Sequence, residues 1–176
     1  MNIGIDGFLN RWCVCFIDFK NQITISTYSN IEKGMNFVDD ESRIFIDIPI
    51  GLSSKLIERK IDQKLREKLP KGKKSSVFTA PCRQAVKAKN YLKARELNKK
   101  ILSKSISIQS WNISNKIKEI DEFLINSKNI QINIHESHPE LCFINLNDGV
   151  ALKFSKKTKE GVNERVNILN KFIKNT

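Results

Sequence analysis

The first half of the chain is constrained most by four short apolar segments with the patterns of β-strands. Segment 12–17 is apolar on both faces, and segment 23–28 alternates apolar and polar residues with a period of two. Another apolar run occupies 3–5, and a fourth covers 43–48. Pro49 ends that run because proline cannot donate to a sheet ladder. The pattern predicts an antiparallel meander followed by a further buried strand.

Beyond residue 50 the patterns become mostly helical. Ser53 or Ser54 is a candidate cap for a helix with apolar residues at spacing four, and a second helix is predicted over 84–102. Further predicted elements are a third helix over 113–124, a strand over 131–136 and a final helix over 162–173.

This order of elements predicts an α/β fold. Three strands, a short helix, a strand, several helices, a strand and a helix suit the ribonuclease-H-like architecture, and other α+β folds stay open. We expect one domain over 1–176, a mixed five-stranded sheet flanked by helices, and a helical basic insertion over about 53–126 between the fourth and fifth strands. Because no apolar run reaches the ~20 residues of a membrane span and no signal-peptide pattern begins the chain, we expect no membrane association.

The four cysteines favour a reducing compartment. No C-x-x-C pair occurs, and Cys13 and Cys15 would share one face of a strand, which is poor disulfide geometry. We therefore expect free thiols that act as small apolar side chains, and a cytoplasmic protein.

Positive charge is concentrated in one part of the chain. The sequence has 31 Lys and Arg against 19 Asp and Glu, a net charge of +12. Residues 55–104 hold 17 of the basic and 4 of the acidic residues, so the rest of the chain is nearly neutral. Such a block suits a polyanion, because each neutralised phosphate releases counterions. Nucleic acid or another phosphate-rich partner is the expectation, and a merely solvated basic surface is the alternative. The oligomeric state stays open, a homodimer included.

Two aspartates stand in strands that are otherwise apolar. Asp6 ends the run 3–5, Asp47 lies between two isoleucines, and Glu136 closes a later strand in the same way. A lone buried carboxylate destabilises a fold unless it is paired or bound to a metal. If the three strands are neighbours, the carboxylates converge at one sheet edge, where Mg²⁺ or Mn²⁺ would relieve their repulsion. We expect a metal site there, and caps or salt bridges are the alternative.

Other acids and histidines surround the last predicted strand. Glu140, Glu160 and Glu164 are candidates for a fourth acidic ligand, with ordinary surface positions as the alternative. His135 and His138 are three residues apart, which is not the HExxH spacing of zinc proteases. Since the alternating pattern and the proline after His138 disfavour a helix, we expect a structural or substrate-facing role for His138.

An ordered set of short motifs extends over nearly the whole chain. In chain order, the motifs are Gly4-Ile5-Asp6-Gly7…Trp12, Asp47-Ile48-Pro49-Ile50-Gly51-Leu52, Arg59…Asp62…Arg66, Ser75-Ser76-Val77-Phe78…Pro81…Arg83, Tyr91…Ala94, Ser107…Gln109…Trp111, Lys116-Ile117…Glu119…Asp121, Glu136…His138-Pro139-Glu140…Phe143 and Ser155-Lys156-Lys157-Thr158…Glu160-Gly161…Arg165. This set closely resembles the DUF429 family, described as predicted nucleases with a ribonuclease-H-like fold. Turn 8–11 departs from the small, glycine-rich turn that is usual in the family.

The resemblance implies a metal-dependent nuclease. Asp6 would match the first-strand aspartate of ribonuclease-H-like enzymes, with Asp47 and Glu136 as the other strand carboxylates, and two Mg²⁺ or Mn²⁺ ions would assist hydrolysis of DNA or RNA. The alternatives are a non-catalytic nucleic-acid-binding protein and a hydrolase or transferase for a small phosphorylated metabolite. Candidate substrate-binding residues in such an enzyme are Arg83, Lys156 and Lys157 for phosphate oxygens, and Ser75, Ser76, Ser107, Gln109 and His138 as further contacts.

Overall fold

A five-stranded sheet organises the computed structural model, which describes residues 1–55, 57–127 and 133–173. The strand order is β3-β2-β1-β4-β5. The first three strands form the predicted antiparallel meander, and β4 and β5 run parallel to β1. The predicted mixed sheet flanked by helices is therefore confirmed. The strands are β1 Asn2–Phe8, β2 Arg11–Ile17, β3 Ile23–Tyr28, β4 Arg43–Ile46 and β5 Ile134–Glu136.

Helices connect and cover these strands, and most of them lie between β4 and β5. No helix within the described residues is long and apolar enough to cross a membrane. The helices are α1 Ile31–Met35, α2 Ile61–Lys68, α3 Arg83–Val86, α4 Tyr91–Leu102, α5 Ile108–Asn112, α6 Ser114–Asn126, α7 Pro139–Leu146 and α8 Lys159–Leu169, with a 3₁₀ helix at Lys71–Ser76.

Strand alternation separates the core face of the sheet from the face that carries Asp6. Along β1, Ile3 and Ile5 are buried, whereas Gly4 and Asp6 point to the opposite face. The isoleucines pack against α1 and α6, and this packing removes their apolar surface from water. The largest fully buried members of this core are Trp12, Ile3, Ile31, Ile44, Ile46, Ile117, Ile120 and Val14.

Glu119 on α6 joins the meander to α1. One of its carboxylate oxygens accepts hydrogen bonds from Trp12 Nε1 at 2.8 Å and from the backbone N–H of Ile31 at 2.6 Å. The ammonium of Lys116, one turn earlier on α6, lies 4.3 Å from the centroid of the Trp12 ring. These contacts satisfy the indole N–H of a fully buried tryptophan and hold α6 against the end of β1.

Three helix predictions were wrong in their limits, and the last of them, over 162–173, corresponds to α8 at Lys159–Leu169. The helix expected from Ser53 or Ser54 begins only at Ile61, because the Ser53 hydroxyl accepts the backbone N–H of Arg59 at 2.8 Å in a non-helical loop. The helix predicted over 84–102 is interrupted, since α3 ends at Val86 and the side chain of Asn90 caps a separate α4. Positions 131 and 132 of the predicted last strand lie outside the described residues.

Candidate active site

Three acids lie at the carboxyl ends of three neighbouring parallel strands. Asp6 is near the end of β1, Glu136 is the last residue of β5, and Asp47 follows β4 with its N–H donating to the carbonyl of Ile5 at 3.0 Å. Parallel strands end at the same edge of a sheet, so the three side chains line one cleft of about 770 Å³. Acids that are far apart in sequence thus share one site.

Asp6 and Asp47 form a pair of like charges in this cleft. Burial, followed by the negative charges of Asp6 and Glu136, raises the pKa of Asp47 to about 6, although Lys156 opposes the shift. Burial also raises the pKa of Asp6, against a backbone hydrogen bond at Gly7 and the positive charge of Lys156. Within the part of the chain that the structure describes, the Asp47 carboxylate has no hydrogen-bond or ion-pair partner.

Glu136 differs from the two aspartates because protein groups bind both of its carboxylate oxygens. The guanidinium of Arg59 donates to Oε1 at 2.5 Å, and the backbone N–H of Ile50 donates to Oε2 at 3.0 Å. Strand alternation explains the difference, since Glu136 is in register with Ile46 on the core face of the sheet, away from Asp6. Its charge still reaches Asp47, but its oxygens are occupied.

Arg59 is the centre of a buried ion network under the cleft. Its side chain is only 4 % exposed, and it donates to Asp62 at 3.0 and 2.7 Å and to the Ile50 carbonyl. Asp62 also accepts the N–H of Ala80 at 2.9 Å. Burial alone would lower the pKa of Arg59, but Glu136 and Asp62 raise it. No role was predicted for this arginine from the sequence, in which its i,i+3 spacing to Asp62 is the local signal.

Basic side chains line the cleft around the acids. Lys116, Lys156 and Lys157 have no carboxylate within ion-pair distance among residues 1–55, 57–127 and 133–173. The other two, Lys73 and Arg165, bind Glu140 at 3.1 and 2.6 Å; burial raises the Glu140 pKa, and these two cations outweigh that effect and lower it. Glu140 therefore lies in the cleft with its oxygens occupied. Lys156 and Lys157 are available to an anion, whereas Lys116 also contacts the Trp12 ring.

The loop that carries Lys156 and Lys157 is packed against the first turn of α8. Thr158 caps this helix by accepting the N–H of Gly161 at 3.1 Å, and its hydroxyl donates to the Ser155 carbonyl at 3.1 Å. A Cβ at Gly161 would lie 1.9 Å from the Ser155 carbonyl oxygen. This close approach requires glycine, and it sets the position of the two lysines.

Gly161→Ala is expected to displace this loop. The new methyl group meets backbone rather than a flexible side chain, so we expect a loss of about 1–3 kcal/mol in unfolding free energy. Thermal unfolding measures the effect. Gly72→Ala is the control, since a Cβ there meets nothing within 4 Å; equal behaviour of the two variants would contradict the packing role.

His138 and Ser76 meet on one side of the cleft. Their Nε2 and Oγ atoms are 3.3 Å apart, and the serine hydroxyl donates its one hydrogen to the Lys73 carbonyl at 2.7 Å. The imidazole proton is therefore on Nε2, which leaves Nδ1 as an unprotonated atom that is buried without a partner among the described residues. Burial lowers the pKa of His138, which disfavours the protonated form of the ring.

Other predicted site residues lie outside the lining of this cleft. Arg83 donates from Nε and Nη2 to the two carboxylate oxygens of Asp121, both at 2.9 Å, because α3 packs against α6. Ser107 caps α5 by accepting the N–H of Ser110 at 3.0 Å, and Glu164 accepts two backbone N–H groups of the segment before α8. Residues that are exposed elsewhere on the surface are Ser75, Gln109 and Glu160.

A match to one family model over almost the whole chain shows which family the chain belongs to. The DUF429 family model, described as "Protein of unknown function (DUF429)", matches residues 4–176. The chain belongs to the DUF429 family. No curated protein and no solved structure matches it significantly. All residues that line the cleft of this DUF429 protein fall in the matched region.

Proposed function

We propose that this DUF429 protein hydrolyses phosphodiester bonds of a nucleic acid in the cleft, with Asp6 and Asp47 holding a divalent cation. The observation that carries the proposal is the pair of neighbouring carboxylates whose charges oppose each other, one of them with a pKa of about 6. A protein keeps such a pair only where something offsets the repulsion. Lysines in the same cleft would attract the phosphate.

The donor set fits one Mg²⁺ or Mn²⁺ ion. Both metals prefer hard oxygen ligands, and Mg²⁺ is commonly held by one or two carboxylates together with substrate phosphate and water. Asp6 and Asp47 meet this requirement. No group of three or more His, Cys, Asp or Glu suited to a metal occurs in residues 1–55, 57–127 and 133–173, and Arg59 occupies Glu136. We therefore propose a narrower metal site than the three-acid, two-ion site that the sequence predicts.

Each neighbouring group has a separate part in the proposed reaction. The ion would polarise a phosphoryl oxygen and lower the pKa of a water molecule. Lys156 and Lys157 would bind phosphate oxygens, and Lys116 would add charge beside Gly7. His138, whose Nε2 lies 3.3 Å from Ser76 Oγ, would contribute to the wall of the cleft that faces the substrate. Glu136, held by Arg59, would keep the local potential negative without being a ligand.

We further propose that the fold is ribonuclease-H-like, with residues of about 53–126 as a helical insertion in a single domain. Support comes from the strand order β3-β2-β1-β4-β5, an antiparallel meander continued by two strands parallel to β1. The segment between β4 and β5 supplies helices α2 to α6 and two further apolar clusters, one around Cys82 and Ala94 and one around Leu69 and Val77.

Metal-dependent cleavage is the direct experiment. Protein stripped with EDTA is incubated with labelled single-stranded DNA, RNA, duplex and hybrid oligonucleotides, with and without added Mg²⁺ or Mn²⁺. We expect cleavage only with the metal. Binding without cleavage of any substrate would favour the non-catalytic nucleic-acid-binding protein. Turnover of a small phosphate monoester alone would favour the metabolite hydrolase, and either result would overturn the proposal.

The pKa of Asp47 also predicts how stability depends on pH. The folded chain holds the Asp47 proton up to about pH 6, whereas an ordinary aspartate loses it near 3.8. Folding is therefore favoured by protonation, and the Asp47 contribution to unfolding free energy falls as pH rises from about 4 to about 6. The difference in unfolding free energy between wild type and Asp47→Asn isolates this contribution. It is measured by urea unfolding in EDTA across this pH range. A difference that is flat with pH would contradict the raised pKa.

A further inference from the structure

The turn between β1 and β2 exposes an apolar side chain at the edge of the cleft. Leu9 is 82 % exposed and has a φ of +49°, in the left-handed region that disfavours residues with a branched apolar side chain. The two-residue turn that joins Phe8 to Arg11 explains the positive φ, but it does not explain the exposure of the side chain. Because Leu9 lines the same cleft as Asp6 and Asp47, contact with a bound molecule accounts for that exposure.

Phe78 presents a second apolar surface to this cleft. It follows the 3₁₀ helix, is 39 % exposed, and has no ring partner among the residues that the structure describes. A partly exposed phenylalanine ring beside the basic side chains of the cleft offers a flat face for stacking. Leu9 and Phe78 come from separate segments of the chain, so the apolar surface is a property of the folded cleft.

Charge and apolar surface together restrict the ligand. Lys156 and Lys157, which have no carboxylate partner among the described residues, favour a negatively charged ligand, and Leu9 with Phe78 favours one with an apolar face. Phosphates of a duplex supply the charge, but neighbouring base pairs cover the faces of its bases. An unpaired strand offers phosphates and free base faces at once, and stacking of such bases on aromatic side chains is the general mode of single-strand binding.

The geometry points to a base-stacking subsite, formed by Leu9 and Phe78, that takes an unpaired nucleobase of a single-stranded nucleic acid. It rests on the proposed function, since the same strand would place its phosphate between the lysines and the aspartates. The subsite makes the protein select single-stranded over paired substrate. The preference comes from base faces, so it holds for any base sequence.

Equilibrium binding in EDTA tests the subsite without cleavage. Wild-type protein is titrated by fluorescence anisotropy with labelled single-stranded DNA, single-stranded RNA, a blunt duplex of the same sequence, and a strand of abasic residues. We expect both intact strands to bind at least about tenfold more tightly than the duplex or the abasic strand. Phe78→Ala should weaken intact-strand binding about 5- to 100-fold, as expected for one lost stacking contact, and leave duplex and abasic binding unchanged.

Leu9→Gly provides a second, independent variant. Glycine suits the positive φ, so this change should raise the melting temperature and at the same time weaken single-strand binding about five-fold or more. Phe19→Ala and Ile25→Ala are matched controls, because Phe19 is 84 % exposed and Ile25 is 66 % exposed away from the cleft lining. Both should bind as wild type does.

Several results would overturn the subsite: equal affinity for duplex and single strand, an effect of Phe78→Ala on the abasic strand as large as on the intact one, or no effect of either variant. The proposed function fails separately, in the cleavage assay. Stacking-dependent binding without metal-dependent cleavage would keep the subsite and reject the nuclease. Metal-dependent cleavage at the same rate in wild type and Phe78→Ala would keep the nuclease and reject the subsite.

Discussion

Asp47→Asn should reduce metal-dependent cleavage by about 1,000-fold, equivalent to about 4 kcal/mol of transition-state stabilisation. Asparagine keeps the shape of the side chain but removes the charge that would hold the cation. Asp6→Asn should have a loss of similar size, because the cation would lie between both carboxylates. Initial rates with a labelled oligonucleotide at saturating Mg²⁺ measure the effect.

The same substitution is expected to stabilise the metal-free fold above about pH 6. Wild-type Asp47 is ionised there against the charge of Asp6, and asparagine removes this repulsion. Added Mg²⁺ should raise the melting temperature of wild type and have no such effect on Asp47→Asn. Asp40→Asn, an exposed acid outside the cleft lining, is the control. If Asp47→Asn retains activity within tenfold of Asp40→Asn, the proposed metal site is wrong.

Asp62→Ala should cause a large loss of stability, about 3–5 kcal/mol in unfolding free energy. It leaves the buried guanidinium of Arg59 with Glu136 as its remaining carboxylate and leaves the N–H of Ala80 without its acceptor. At about 2–4 °C per kcal/mol, the melting temperature should fall by about 6–20 °C. Thermal and urea unfolding followed by circular dichroism measure the change.

Two companion variants separate charge from hydrogen bonding in this network. Asp62→Asn keeps an oxygen for the N–H of Ala80 but loses the charge that faces Arg59, so we expect an intermediate loss. Glu58→Ala removes an exposed acid one residue before Arg59 and should change stability by less than about 0.5 kcal/mol. Asp62→Ala behaving like Glu58→Ala would show that the ion network does not stabilise the fold.

The limits of β2 and β3 were predicted to within one residue, from the apolar run of β2 and the alternation of β3. The alternation did not predict burial, since β3 has no buried residue and Ile25 is 66 % exposed. The helices were harder to place. The interruption between α3 and α4 depends on the cap at Asn90, and the late start of α2 depends on Arg59 contacts with residues far away in the chain.

The concentration of positive charge in residues 55–104 predicted the position of the cleft poorly. Of the cations in 55–104, Lys73 is the one that lines the cleft, and the other lining lysines come from α6 and from the loop before α8. Arg83 illustrates the reason, since packing of α3 on α6 pairs it with Asp121. Charge density along a chain does not say which surface the charges share, because helix packing decides where each side chain points.

Local chemistry alone marked Asp6 and Asp47 as unusual, because a carboxylate in an apolar strand is costly if the fold buries it. The partners of each acid were decided by the tertiary structure. Register and strand order place Asp6 beside Asp47 on one face and turn Glu136 to the other, where Arg59 binds it. Electrostatic interactions depend on distance through space, and only the folded chain sets those distances.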